Sequence, residues 1–442
     1  MSDVPASRAK KSLKSAMGSI RRAGAALKRL KVQAPSPAAA GTTFKERRLA
    51  RRTTSGLRLV LSDRIDFVNP QHWDALAAQT VFLSRPYLRV LEEHGPGNVE
   101  PRYAMAYDST CKPVAIMLFQ RVNVDGEQLR KPRTKRSLLD KPVAGLQENL
   151  LLCGNLLVWG ARAIALAPGV DAALVWQGVG EAAYRLRRAD KLLGESDVVM
   201  VKDYAAGEAV TKESLRLLGY RSVETEPDMV LSLKPEWTRF EDYLASLTSG
   251  YRSNAKKLQK DCATAGIALR VIDATEMQAR QDEIHALYEQ VHHGQSLRLA
   301  TLEPSYLPAL AEALGPRFVC RVAEREGRLV GFVTSVSDGA TAIGYYIGYD
   351  RATNAEAPVY LTLLQSTVED AIGFRAQRLS LGRTALEPKA KLGCQPEPLA
   401  CAVRHRVSAL NLLVSALVRT AAHDEPPQRS PFKKEQGAAE AA

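Results

Sequence analysis

Short apolar runs alternate along the chain with stretches whose apolar residues recur every three to four positions, the patterns of strands and of helices respectively. In the first half, residues 103–107 and 114–121 are strand-like runs flanking DSTCKP. Its Asp, Ser and Pro suit a turn, so a hairpin is predicted. Residues 150–158 are apolar enough for a buried strand. A helix over 170–193, a strand at 198–201, a helix at 212–218 and a strand at 228–233 follow. The second half predicts helices over 240–246, 253–265, 275–291 and 304–314, then strands over 318–322, 329–336 and 340–349. A long helix over 358–374, strands at 378–381 and 399–404, and a helix over 408–418 complete it. Each half therefore holds a hairpin, a further strand, a helix and a later strand in similar order, with no repeat visible in the sequence itself.

At 442 residues the chain exceeds one compact core and fits two, at roughly 100–200 residues per domain. The expected division is a basic arm over 1–55, an N-terminal domain over 56–235, a C-terminal domain over 236–422 and a disordered tail over 423–442. The linker VQAPSPAAAGTT and the tail HDEPPQRSPFKKEQGAAEAA are too poor in large apolar residues to build a core. The formal charge of +13 is concentrated in the arm, where 14 Lys and Arg face only Asp3 and Glu46. The nearly neutral remainder argues against a folded nucleic-acid-binding domain. Within the arm, Leu13, Met17, Ile20 and Leu27 fall on one helical stripe among cations. Two readings follow for residues 8–32: an amphipathic helix lying on an anionic membrane surface, or a disordered arm.

The six cysteines lack zinc-ligand spacing, so no metal site is expected and reduced, mostly buried thiols are. No apolar run reaches the ~20 residues of a membrane span, and the N-terminus lacks the apolar core of a secretory signal. The expectation is a cytoplasmic protein, peripheral to the inner face of the membrane if the arm docks there.

Three segments carry a resemblance: FEDYLASLTSGYRSNAKKLQK, AIGYYIGYDRATNAEAPVYLTLLQSTVEDAIGF and RLSLGRTALEPKAKLGCQPEPL. Together with the element order they resemble the GNAT acyltransferase superfamily, and two such units in one chain resemble its Fem-like branch. The resemblance implies an α/β (α+β) fold of two tandem GNAT-like domains, each a mixed, largely antiparallel sheet flanked by helices, with the N-terminal one degenerate. It also implies transfer of an acyl or aminoacyl group from a thioester or ester donor to an amine, borne by a small molecule or a cell-wall precursor. Acyl-CoA is the donor of ordinary members, held by backbone N–H groups at the start of the helix after the central strand. The matching loop here, DRATNAEAP, contains no glycine. Aminoacyl-tRNA, or a noncatalytic binding or scaffold protein tethered by the basic arm, are the alternatives.

Amine acylation needs a proton acceptor, an oxyanion partner and groups that hold the substrates. LGRTALEPKAKLG follows a strand and gathers charge where α/β folds bind ligands. Glu387 is the expected base, with Arg383 and Lys389 holding an anionic donor or acceptor. Arg252 and Lys256, four apart on a helix, form a second clamp for an anion. Tyr345 and Tyr346 point to opposite faces of the central strand, and Tyr346 is the expected oxyanion or leaving-group donor. His292 and His293 are lesser base candidates, and His405 is structural or exposed. The first half shows no equivalent concentration of charge at a strand end.

Overall fold

A computed structural model describes residues 49, 53–125, 147–160, 162–294, 298–407, 411, 427 and 429–433. The expected arm helix over 8–32 lies outside them, as do all but a few residues of the expected helix over 408–418 and of the tail.

The first half runs β1 (Arg58–Ser62), α1 (Pro70–Ala77), α2 (Arg85–His94), β2 (Val99–Tyr107), β3 (Pro113–Asp125), β4 (Gln147–Cys153), β5 (Ile164–Leu166), α3 (Ala172–Ala189), β6 (Ser196–Ala205), α4 (Ala209–Leu217), β7 (Arg221–Glu224) and β8 (Asp228–Ser232). The second continues with α5 (Phe240–Ser246), α6 (Ser249–Thr264), β9 (Ala268–Ile272), α7 (Ala274–Ala279), α8 (Gln281–His292), α9 (Tyr306–Leu314), β10 (Phe318–Arg325), β11 (Arg328–Asp338) and β12 (Thr341–Tyr349). It ends with α10 (Arg351–Glu356), α11 (Val359–Gly373), β13 (Arg378–Ser380), α12 (Leu386–Lys391), β14 (Gln395–Glu397) and β15 (Leu399–His405).

Local chemistry sets many of these elements. Asp171 caps α3 by accepting from the Ala173 N–H, and Val175, Val179, Ala182, Ala183 and Leu186 bury one face of the helix. The hairpin expected around DSTCKP is β2–β3, paired antiparallel from Val99↔Val122 to Tyr107↔Pro113. Two expected elements differ. The helix predicted over 275–291 breaks at Arg280, whose φ of −114° and ψ of 21° leave the helical region between α7 and α8. The strand predicted over 150–158 stops at Cys153, and residues 157–160 bond to side chains from both halves of the molecule instead of to a neighbouring strand.

One sheet has the order β1-β2-β3-β4-β6-β15-β7, with β5 added to β3, and the other has β14-β8-β13-β12-β11-β10-β9. Each contains one parallel pair, β4 with β6 and β12 with β13, among antiparallel neighbours. Each also takes one strand from the other side of residue 235. Strand β8 pairs with β13 and β14 in the second sheet, and β15 pairs with β6 and β7 in the first. Both exchanged strands are buried nearly along their length, in DMVLS and in LACAV, as interior strands with both faces covered must be.

The cores follow the same interleaving. One apolar cluster runs from Trp73, Phe82 and Tyr87 of the first half to Tyr306, Phe332 and Tyr345 of the second. Separate clusters lie under α3 and α4 and between α5, α11 and β8. All six cysteines are free, and only Cys111 is exposed.

Candidate functional site

The parallel ladder between β12 and β13 has three residue pairs, Thr341↔Arg378, Ala342↔Leu379 and Ile343↔Ser380, after which the strands part. Beyond that point β12 stays paired with β11, through a register shift between Val333 and Ser335, but has no β13 partner. Open sheets bind ligands where strand ends diverge in this way. Here the divergence is bridged by a strap from the first half, residues 157–160, which follows β4.

Four consecutive strap residues are bonded to four polar side chains, two from each half. The Tyr346 hydroxyl donates to the Leu157 carbonyl at 3.3 Å, and the Lys202 ammonium donates to the Val158 carbonyl at 2.7 Å. The Trp159 indole N–H donates to Ser380 Oγ at 2.6 Å, and the Gly160 N–H donates to Asp203 Oδ2 at 3.2 Å. Just before the strap, Asn155 donates to the Tyr87 hydroxyl at 2.8 Å. Tyr87 continues through Tyr306 to Tyr345, and the hydroxyls of this last pair lie 2.8 Å apart.

Asp203 is fully buried, with its backbone in the left-handed region at φ 57°. Its carboxylate is shared by two cations, Lys202 beside it in sequence and Arg383 from the loop after β13. One carboxylate neutralises one of them, so the buried group carries an excess positive charge. Burial first, then the neighbouring Arg383 charge, pulls Lys202 down to about 7. Burial also lowers Arg383. Cys401 on the exchanged strand β15 places its thiol 3.6 Å from Asp203 Oδ1.

The loop carrying Arg383 is held from beneath. Asp228, on the other exchanged strand, accepts from Ser380 Oγ at 2.6 Å and from the Gly382 N–H at 2.9 Å. Burial raises its carboxyl, against the pull of those two hydrogen bonds. Lys389 donates to the carbonyls of Gly382 at 3.1 Å and Arg383 at 2.5 Å, and burial brings its ammonium down to about 8.

The residues expected from sequence thus separate. Tyr346 and Arg383 join this cluster, whereas Lys389 is buried beneath the loop as a support for its carbonyls. Glu387 is held outside, accepting from Arg429 at 2.7 and 3.1 Å with Lys391 at 3.7 Å. The Arg429 hydrogen bond keeps its carboxyl below the usual range, which suits an ion pair better than a base. Arg252 reaches the carbonyls of Ala245 and Leu247 at 3.5 Å, at the end of α5, and Lys256 is exposed. His292 stacks on Tyr288 and bonds Thr301, and burial lowers it to about 4, so it is neutral at physiological pH. His293 is exposed, and His405 accepts the Val407 N–H at its own turn.

Lys202 and Asp203 correct the expectation that no charge gathers at a strand end in the first half. The signal was present in VMVKDYA, two adjacent charges following an apolar strand. The strap itself had no such signal, since its polar contacts are made mostly by backbone carbonyls and N–H groups.

The loop where acyl-CoA would place its pyrophosphate forms α10 and the start of α11. The Asp350 carboxylate accepts from the Thr353 N–H at 2.8 Å and from its hydroxyl at 2.7 Å, and those bonds hold it below the usual range. Asn354 takes the Tyr360 N–H at 2.8 Å. An anion at this position meets a fixed carboxylate and N–H groups already used, so the residues present do not fit a pyrophosphate there.

Residues 249–389 match the family model described as an acetyltransferase (GNAT) domain. Among solved structures, FemX is 10% identical and covers 81% of this chain and 100% of its own at a TM-score of 0.50. A tandem GNAT protein from the clavulanic acid biosynthesis pathway is 10% identical over 79% of this chain and 98% of its own, at 0.48. The C-terminal domain of a putative lysylphosphatidylglycerol synthetase from Agrobacterium fabrum is 12% identical over 79% and 95%, at 0.43. No curated protein sequence matches the chain. Two mixed sheets with one parallel pair each give the chain a fold similar to that of FemX, and its residues 249–389 match the acetyltransferase (GNAT) domain family.

Proposed function

We propose that the protein transfers an acyl or aminoacyl group from an activated ester to an amine, with the chemistry at the divergence of β12 and β13. The observation that carries this reading is the convergence there of Tyr346, Lys202, Asp203 and Arg383 from both halves. In this scheme the strap yields its carbonyl contacts to the substrates. The amine nitrogen attacks the acyl carbon, and Lys202, brought near neutrality by its surroundings, accepts the amine proton. Tyr346 and Arg383 stabilise the oxyanion. Collapse then breaks the bond to the leaving oxygen, which takes the proton back from Lys202. An ester donor without a pyrophosphate cradle, such as an aminoacyl-tRNA, is preferred to acyl-CoA because Asp350 caps the donor loop.

The test is turnover of an amine acceptor with charged tRNA and, separately, with acyl-CoA. Tyr346→Phe is expected to lower kcat by about 10²-fold, the size of one lost oxyanion donor, and Lys202→Met by at least as much. Glu387→Gln should leave turnover near wild type. No turnover with either donor, or full activity in both the Tyr346 and Lys202 variants, defeats the reading. A second reading, a noncatalytic GNAT-like scaffold, is favoured by the strap, which occupies the divergence with a complete set of hydrogen bonds. In that case the same variants alter stability and no cellular phenotype that the arm does not already govern.

A further inference from the structure

Past the end of α3 the chain makes a tight turn, Asp190–Leu193, that puts two adjacent leucines into solvent. Leu192 is 98% exposed and Leu193 59%. Tyr184, two helical turns before, is 58% exposed, and Arg188 and Lys191 lie between it and the leucines at helical spacing. The exposure is built in, because the turn is anchored from below. The Asp190 carboxylate accepts from buried Arg102 at 3.1 Å, and Arg121 donates to the Leu193 carbonyl. Gly194 follows at φ 116°, where an added Cβ would meet the Asn149 amide at 2.8 Å. Two arginines and a glycine thus hold the leucines outward, although each would be more stable covered.

Around the turn exposed cations outnumber free acids. Among the described residues, Arg188 and Lys191 have no carboxylate partner, while the nearby acids Glu195 and Asp197 are both taken by Arg406. Arg187 lines a small recess with Tyr184 beside the leucines. Apolar tips, an aromatic ring with a polar end and a ring of cations match the layers of an anionic bilayer: acyl chains, headgroup interface and phosphates.

We propose that the Leu192–Leu193 turn is a membrane-docking wedge that inserts into an anionic lipid surface, with Tyr184 at the interface and Arg188 and Lys191 on the phosphates. This site belongs to the folded body, is separate from the arm over 1–55, and is independent of the proposed transferase reaction. The experiment is co-sedimentation of the full chain with vesicles of phosphatidylcholine and phosphatidylglycerol, compared with phosphatidylcholine alone. Wild type should partition onto the anionic vesicles, with binding weakened by salt. Leu192→Asp with Leu193→Asp should lower the partition coefficient by about tenfold or more with an unchanged melting temperature, since both side chains are exposed. Leu192→Ser with Leu193→Ser asks the same question if the charged pair impairs folding. Arg188→Glu with Lys191→Glu should weaken binding by about fivefold or more per residue and flatten its salt dependence. Wild-type binding by both leucine variants, with the arm intact, overturns the proposal. So does failure of the wild type to bind anionic vesicles, or binding confined to an acidic protein.

Discussion

Lys202 shows how a single side chain can report on the junction. Its ammonium falls from 10.5 to about 7 because it is buried and lies beside the Arg383 charge. A base lowered by folding binds fewer protons in the folded than in the unfolded state between those two values. The cost of carrying Lys202 is therefore complete below about pH 7 and fades as pH rises towards 10.5. Lys202→Met should gain on wild type in acid solution and lose that advantage in alkali, by about 1.4 kcal/mol for each pKa unit of the shift. Removing the bonds from the ammonium to Val158 and Asp203 adds a constant offset and leaves the slope alone. Urea unfolding of both proteins across that pH range checks the prediction, and parallel curves would remove Lys202 from the cationic end of the site. This residue is legible in the sequence as half of a charged pair at a strand end. Its neighbour Arg383, remote in sequence, is not legible as its partner, because that contact depends on how the two sheets meet.

At the scale of elements, the loop after β13 and the strap after β4 lock together. Gly382 has φ 71°, and a Cβ there would meet the Trp159 ring at 2.7 Å. Gly382→Ala combines an unfavourable backbone with a clash against a ring held by its bond to Ser380. A loss of about 1–3 kcal/mol is expected in denaturant unfolding, with a change in tryptophan emission as Trp159 moves. Unaltered stability and emission would mean that the strap is loosely held. The same contacts account for the mistaken strand over 150–158. Its apolar run predicts a buried segment correctly, for Leu157 and Val158 are buried. Periodicity alone does not distinguish a buried strand from a buried strap, and the hydrogen-bond partners that decide between them come from the other half of the chain. The long amphipathic and capped elements, by contrast, were legible: α5 matches its expected range, and α3 and α11 lie within a few residues of theirs.

In the whole molecule the exchange of β8 and β15 ties the two halves into one unit, residues 47–442. Each exchanged strand lies between two others, so neither sheet is complete without the far half of the chain. Removal of residues 399–442 should deprive β6 and β7 of their shared neighbour and leave the first half unfolded or aggregated, because interior strands with open edges pair with other chains. The intact protein should unfold in a single transition, with far-ultraviolet and near-ultraviolet signals coinciding. Two separated transitions would show that the halves fold independently despite the exchange.

The sequence by itself determined the α/β class, the sites of most helices and strands, the resemblance to GNAT acyltransferases and the glycine-free loop. Those features rest on local periodicity, turn chemistry and short segments that neighbouring residues specify. Which sheet each strand joins, which charges meet and what fills the divergence of β12 and β13 were decided by tertiary structure. β8 and β15 read as ordinary apolar strands in either half, and only the burial of both faces between specific neighbours assigns them. Likewise Asp203 acquires its role from two cations, one adjacent and one far along the chain, brought together where the two sheets join.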